Sequence, residues 1–289
     1  MNIQKITKIL TDSGIEENEA KIEVKMLFEH FCNYTEKDFI LGKPLREELV
    51  ELVEEKARER AITRIPIQYI TGKAYFMGEY FKVTPDVLIP RDETEILVRK
   101  AIEIINRNGL PPQTNPLLEE REYTVLDIGT GSGCIACTIA KQTDATVLGV
   151  DISSDALRIA LDNVTQLGIN NRAVFRKSDL FSKVREEEKF DIIISNPPYI
   201  PYHVELEPEV MQEPQLALRA NENGLEFYRK IVEQAPQFLK PEGWLMFELG
   251  LGEAEAVKSF MEKEFTDITI EKDLAGIDRI IYGQYKTQI

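Results

Sequence analysis

The chain predicts an α/β domain on a seven-stranded, mostly parallel sheet, preceded by a small helical bundle and a β-hairpin. Three observations predict this. From residue 124 onward, short apolar runs of strand type alternate with helical patterns, as in a parallel sheet covered on both faces. Before residue 65 the apolar residues repeat only at helical spacing. Between these regions lies an aromatic, β-prone stretch punctuated by glycines. A length of 289 residues accommodates two modest domains.

The elements follow in order. Ile3, Ile6, Ile9 and Leu10 mark a first helix, which Thr11 to Gly14 breaks. Glu17 starts a second helix carrying Ala20, Val24, Leu27, Phe28 and Phe31. After the Gly42-Lys43-Pro44 loop, a third carries Leu49, Leu52, Val53 and Ala57. Residues 68–83 read as the hairpin. Asp86 to Pro90 is a turn with a short extended piece, and an amphipathic helix starts at Thr94. Residues 106–122 have loop composition. Seven strands are expected at 124–127, 146–151, 173–177, 191–195, 244–248, 268–272 and 280–284. Helices begin near Cys134, Ala156, Gly224 and Gly252. The connection between the last two strands is short, so the final strand enters antiparallel. The expected boundaries are a helical domain over 1–65, a hairpin linker over 66–90 and the α/β domain over 91–289.

Composition narrows the function classes. With 43% hydrophobic and 29% charged residues, the chain is neither disordered nor a fibrous repeat. No apolar run reaches the ~18 residues of a membrane span, and the start shows no signal-peptide apolar block. Three cysteines make no disulfide framework, which fits a reducing cytoplasm. The net charge of −15 repels phosphate backbones. Nucleic-acid binding would need a local basic patch, and no long Lys/Arg run supplies one.

Two segments carry chemistry. Residues 125–133, VLDIGTGSG, follow a strand and open a helix. Glycines there permit positive φ and close backbone approach to a ligand, and the helix start offers unpaired N–H groups. The spacing is G-x-G-x-G, shorter than the dinucleotide fingerprint. The next strand ends at Asp151, beside the loop in a doubly wound sheet, where it can accept hydrogen bonds from ribose hydroxyls; the weaker alternative is a cap on the following helix. Asp179 after the third strand can bind an adenine amino group with Leu180 against the ring, or simply close a turn. Together these make an adenosyl-ligand site, and the shortened loop favours S-adenosylmethionine over NAD. The candidate cofactor set is Asp127, Ile128, Gly129, Thr130, Gly131, Gly133, Asp151, Asp179, Leu180 and Asn196.

The fourth strand runs directly into Asn196-Pro197-Pro198-Tyr199. The prolines stop the strand, and Pro198 fixes the direction of the Pro197 carbonyl. The Asn196 oxygen and that carbonyl can accept both N–H bonds of a planar NH2 group, with Tyr199 as a flat face beside it. Such acceptors stabilise the positive charge that grows on a weakly nucleophilic nitrogen as it attacks a methyl group. Asn196, Pro197 and Tyr199 are therefore the candidate catalytic residues, and Asn196, Pro197, Pro198 and Tyr199 the candidate substrate contacts.

DIGTGSG (127–133), Asp151 and SNPPYI (195–200) resemble class I, Rossmann-like S-adenosylmethionine-dependent methyltransferases acting on nitrogen. Residues 66–98, 213–231 and 274–283 resemble, more specifically, the HemK/PrmC-type glutamine methyltransferases of peptide chain release factors. The resemblance spans almost the whole chain. It implies that the acceptor is the glutamine of the Gly-Gly-Gln loop of a class 1 release factor. Gly129, Gly131 and Gly133 would line the methionine part of the cofactor, Asp151 would hold its ribose, and Asn196 with the Pro197 carbonyl would hold the amide. Apart from the resemblance, the helical domain is expected to serve as a scaffold or to recognise the substrate, and the protein is expected to be a cytoplasmic monomer. One departure is Asp92, where the family carries proline after Ile-Pro-Arg; it is expected to adjust a turn near the site.

Other readings are weaker. Asn-Pro-Pro-Tyr is shared with adenine methyltransferases, but those need base flipping and phosphate contacts. Cys134 and Cys137 lack a second ligand pair for zinc and read as small buried helix residues. His30 and His203 are isolated.

Overall fold

The structure, a computed structural model, describes residues 3–108 and 122–286. The chain divides into two units. One holds the residues up to Lys73 together with Leu206–Gln212; the other holds Ala74–Glu205 and Glu213 onward.

The first unit is helical: α1 (Ile3–Thr11), α2 (Glu17–Cys32), α3 (Glu36–Leu41), α4 (Glu47–Thr63) and α5 (Ile67–Thr71). Its core joins Ile6, Leu10, Ala20, Val24, Leu27, Phe28, Val53 and Ala57, the apolar faces that the periodicity predicts. The pattern missed α3, which is set by a capping box between Thr35 and Asp38. It also placed 68–71 in the hairpin, whereas these residues are helical. Pro66 precedes α5 and Gly72, at φ +69°, closes it; burial of Ile67 and Thr71 holds that short helix. One core member is charged. Arg60 is 1% exposed, its guanidinium forked onto Glu23 (2.9–3.2 Å) and bonded to Glu209 (2.9 Å). Arg64 also pairs with Glu209, at 2.5 Å.

From Ala74 the second unit holds all but the first residue of a hairpin, β1 (Lys73–Phe76) and β2 (Glu79–Lys82), followed by α6 (Thr94–Asn108). The loop expected over 106–122 falls almost wholly outside the described residues. Then come β3 (Thr124–Ile128), α7 (Cys134–Gln142), β4 (Thr146–Asp151), α8 (Ser154–Leu167), β5 (Ala173–Lys177) and β6 (Phe190–Ser195). Next come β7 (Ile200–Pro201), α9 (Gln215–Leu218), β8 (Arg219–Ala220), α10 (Glu226–Gln234), β9 (Leu239–Glu248), α11 (Ala254–Met261), β10 (Phe265–Lys272) and β11 (Asp278–Tyr285). The main sheet has the order β10-β11-β9-β6-β3-β4-β5, parallel except for β11, which runs antiparallel to β9 and β10. β9 starts at Leu239, earlier than the expected 244. Its register with β6 jumps between Phe190–Leu239 and Ile192–Trp244, so residues 240–243 bulge out and hide the strand pattern.

Strand residues alternate between two cores. Val125, Val147, Ile192, Ile194 and Met246 pack under α6 and α7. Leu126, Leu148, Ile193, Leu245 and Phe247 pack under α10 and α11. This two-sided burial explains the unbroken apolar runs. The hairpin is tied down by buried Asn163 of α8. It accepts the Lys82 N–H at 2.7 Å and donates to the carbonyls of Lys82 (3.0 Å) and Ser132 (2.9 Å). Two cysteines, Cys134 and Cys137, lie in the first core on α7, and burial pushes the Cys134 thiol up to about 12.

Candidate active site

Strand order reverses at β3. From β3 the chain steps outward to β4 and β5, then returns to place β6 on the other side of β3. In such sheets ligands bind at the carboxyl ends of the strands flanking the reversal. Here Ile128 and Ser195 are register partners, and Ser195 Oγ donates to the Ile128 carbonyl at 2.7 Å. The glycine loop and the Asn-Pro-Pro segment therefore leave the sheet side by side.

They open onto one cleft in this unit. Of the predicted residues, Ile128, Gly129, Gly131, Asp151, Asp179, Leu180, Asn196, Pro197 and Pro198 line it. Gly131 has φ +54°, and a Cβ there would meet nothing closer than 4.0 Å, so the backbone is bare toward the cleft. The Asp151 carboxylate accepts N–H bonds from Gly131 (2.9 Å) and Ser153 (2.8 Å). Burial raises its pKa above the usual carboxylate value. A carboxylate offers about four acceptor directions, so the two bonds leave room for ligand hydroxyls. The capping of α8 falls to Ser153, whose Oγ accepts the Ala156 N–H at 3.2 Å. Asp179 is exposed at the rim, its side chain free for a ligand while its N–H donates to Ser182 Oγ at 3.1 Å. Leu180 sits in the left-handed region at φ +46°, a strained backbone that tends to occur at ligand sites.

Four predicted residues lie outside the cleft wall. Asp127 is fully buried and accepts the Thr130 hydroxyl at 2.6 Å; burial pushes its pKa up to about 7. Both residues brace the loop from beneath. Gly133 starts α7, and a Cβ there would come within 3.1 Å of Ala160 and Phe175; its smallness serves helix–sheet packing. Tyr199 packs against the second core, its ring edge 2.8 Å from where a Cβ on Gly250 would stand.

The sequence reading missed several wall residues. Asp86, Val87 and Leu88 come from the segment before α6, and Pro214, Leu216 and Phe227 from the segments after β7. The two flanks are linked: buried Glu213 accepts the Ile89 N–H at 3.0 Å and pairs with Arg91. Only the resemblance over 66–98 and 213–231 pointed at these segments. Asp92 lies in the turn there; its carbonyl accepts the Glu95 N–H at 3.1 Å as α6 begins. Behind Asn196 stand Thr94 and Glu248. Among the described residues, no cluster of His, Cys, Asp or Glu could hold a metal ion.

Comparison with known proteins identifies this architecture. A profile described as a methyltransferase domain matches residues 119–278, and one described as the PrmC N-terminal domain matches residues 3–72. The release factor glutamine methyltransferase of Geobacter sulfurreducens is 38% identical over 282 residues, covering 95% of this chain and 92% of the relative. The chain belongs to the release factor glutamine methyltransferase family. The Koribacter versatilis protein of the same name is 36% identical, covering 92% of this chain and 90% of the relative. A Thermus thermophilus 16S rRNA N2 G1207 methyltransferase, solved with AdoMet and guanosine, superposes with a TM-score of 0.53. It shares 19% identity, covering 74% of this chain and 50% of the other, and so attests the fold alone. In this methyltransferase family member, the cleft lies at the carboxyl ends of β3 and β6, beside the reversal of strand order.

Proposed function

We propose that the protein transfers a methyl group from S-adenosylmethionine to the side-chain amide nitrogen of the glutamine in the Gly-Gly-Gln motif of class 1 release factors, supporting translation termination. The observation that carries this reading is the shared cleft: Asn196, Pro197 and Pro198 face the same space as Gly131 and Asp151.

The residues present fit the cofactor. Bare backbone at Gly129 and Gly131 suits the methionine part, the spare acceptor directions of Asp151 suit ribose hydroxyls, and Asp179 with Leu180 suits the adenine. When bound, S-adenosylmethionine supplies a methyl group activated by a sulfonium. The protein's task is then alignment and electrostatics. Asn196 Oδ1 and the Pro197 carbonyl accept the two N–H bonds of the glutamine amide and aim its nitrogen at the methyl. Both acceptors strengthen as positive charge grows on that nitrogen. The N-methylated nitrogen then loses a proton to solvent, so no strong base is required. Tyr199, packed against the second core behind these groups, fixes the turn that carries them.

The remaining assignments belong to the same reading. The helical unit recognises the release factor. The enzyme acts in the cytoplasm as a monomer, without direct contact to nucleic acid, in keeping with its net charge of −15. The test is incubation with methyl-labelled S-adenosylmethionine and either unmodified release factor or unmethylated DNA, followed by mass spectrometry. One methyl on the Gly-Gly-Gln glutamine is the expected product. Label on adenine, with the release factor untouched, would overturn the assignment.

A further inference from the structure

A side-chain amide has two ends of nearly equal size and opposite character. Rotating the Asn196 amide by half a turn exchanges its acceptor oxygen for a donor NH2, and only the oxygen can receive an N–H of a glutamine amide. A working site therefore needs a device that selects the orientation.

Such a device lies behind Asn196. Thr94, 2% exposed at the start of α6, has its hydroxyl 2.5 Å from Glu248 Oε2 at the end of β9. The same hydroxyl oxygen is 3.2 Å from Asn196 Nδ2. A hydroxyl has one proton to give. Donated to the Glu248 carboxylate, that proton leaves Thr94 Oγ1 only as an acceptor toward Asn196, so Asn196 must turn its NH2 inward. We propose that Thr94 and Glu248 are positioning residues: a one-directional hydrogen-bond relay holds Asn196 Oδ1 toward the acceptor nitrogen.

The relay is itself well held. Glu248 is 2% exposed, and its backbone carbonyl accepts the Tyr228 hydroxyl at 2.9 Å. The Thr94 N–H donates to the Arg91 carbonyl at 3.1 Å. Neither side chain lines the cleft, so their influence on substrate runs through Asn196. The inference rests on the reading of Asn196 as the holder of the acceptor amide.

The test compares Thr94→Val, which keeps the shape and loses the hydroxyl, with Thr94→Ser, which keeps the hydroxyl. Loss of a hydrogen-bond partner behind a metal-ligating residue costs about 10- to 100-fold, and on the same scale Thr94→Val should lower kcat roughly 10- to 100-fold. KM for release factor and the affinity for S-adenosylhomocysteine should stay within about twofold, and Thr94→Ser should recover most of the loss. A merely structural threonine would show no such rescue. A second readout is independent of turnover. The 15N-labelled Asn196 side-chain NH2 should exchange slowly with water in the wild type and in Thr94→Ser, and rapidly in Thr94→Val. An unchanged kcat in folded Thr94→Val, or fast exchange of the Asn196 NH2 in the wild type, would overturn the relay. If the wild type methylates no glutamine, the functional reading fails instead, and the exchange measurement still decides the relay.

Discussion

Gly131 donates its N–H to Asp151 Oδ2 across 2.9 Å, tying the glycine loop after β3 to the end of β4. The bond gives Asp151 a second role beside its proposed ribose contact, because it also holds the glycine loop that lines the cleft. Asp151→Ala should therefore weaken S-adenosylhomocysteine binding by more than one ligand contact. A hydrogen bond to a charged group contributes ~1.5–3 kcal/mol, so calorimetry should show a loss of at least about tenfold. Asp151→Asn, which keeps one acceptor oxygen, should lose less. Equal affinity in Asp151→Ala and wild type would remove Asp151 from the cofactor site.

Asn196 separates binding from chemistry. It faces the cleft beside Pro197 and Pro198, and its proposed work is on the acceptor nitrogen. Removing one preorganised partner for transition-state charge costs ~10²–10³ in kcat. Asn196→Ala should show a loss of that order while binding S-adenosylhomocysteine nearly as the wild type does. Loss of cofactor binding instead would make Asn196 a cofactor ligand and refute the proposed role.

The parts legible in the sequence are those with local periodicity or local composition. The glycine loop and Asn196-Pro197-Pro198 each follow a strand directly and Asp151 ends one, so strand order alone brought them together at the β3/β6 reversal. The parts that were not legible depend on partners far along the chain. Arg60 reads as one more surface charge on α4 until Glu23 and Glu209 surround it. Thr94 reads as a helix start, and Glu248 as the polar end of a strand, because nothing local joins either to Asn196, 102 residues beyond Thr94. Gly133 reads as one more ligand-facing glycine of the loop, because its neighbours Ala160 on α8 and Phe175 on β5 are not local to it.

Gly133 gives a prediction that distinguishes packing from ligand contact. Its φ is +78°, and Ala160 and Phe175 each lie 3.1 Å from where a Cβ would stand, so alanine is both strained and crowded. Overpacking and left-handed strain each cost ~1–3 kcal/mol. Gly133→Ala should lower the melting temperature clearly, whereas a change limited to cofactor affinity, with unaltered melting, would place Gly133 on the cleft wall after all.

In the helical unit, the Arg60 cluster can be tested by unfolding. Deleting one partner of a buried ion pair strands the other charges and costs ~3–5 kcal/mol. Arg60→Ala leaves buried Glu23 opposite Glu209 with no cation at Arg60's place. Burial already holds the Glu23 carboxyl above its usual range. Urea unfolding followed by far-UV circular dichroism should show that unit melting earlier. A double change of Arg60 and Glu23 to apolar residues should recover part of the loss, because it removes the stranded charge along with its partner.

The relay from Glu248 carries a sign in pH. Burial pushes its carboxyl up to about 7; Glu93 raises it further, while the Thr94 hydrogen bond, Arg279 and Arg91 oppose the shift. Tyr199 and Cys134 also lie within its electrostatic reach. Ionised, Glu248 accepts the Thr94 proton and Asn196 presents its oxygen. Protonated, Glu248 can donate to Thr94, which then donates to Asn196 Oδ1 and turns the NH2 toward the substrate. Turnover should therefore rise with pH through about 7, as Glu248 ionises. Stability should move the other way. A carboxyl with a raised pKa favours the fold in its protonated form, so its contribution is complete below its ordinary value of 4.5 and is lost as pH rises through about 7. Asp127 and Glu253 are also pushed up to about 7, so an inflection alone does not name its source. Glu248→Gln does: it should abolish the inflection in kcat, and its stability relative to wild type should rise as pH goes from 4.5 to about 7. A kcat inflection that persists unchanged in Glu248→Gln would assign the titration to another carboxyl and leave the relay without a proton switch.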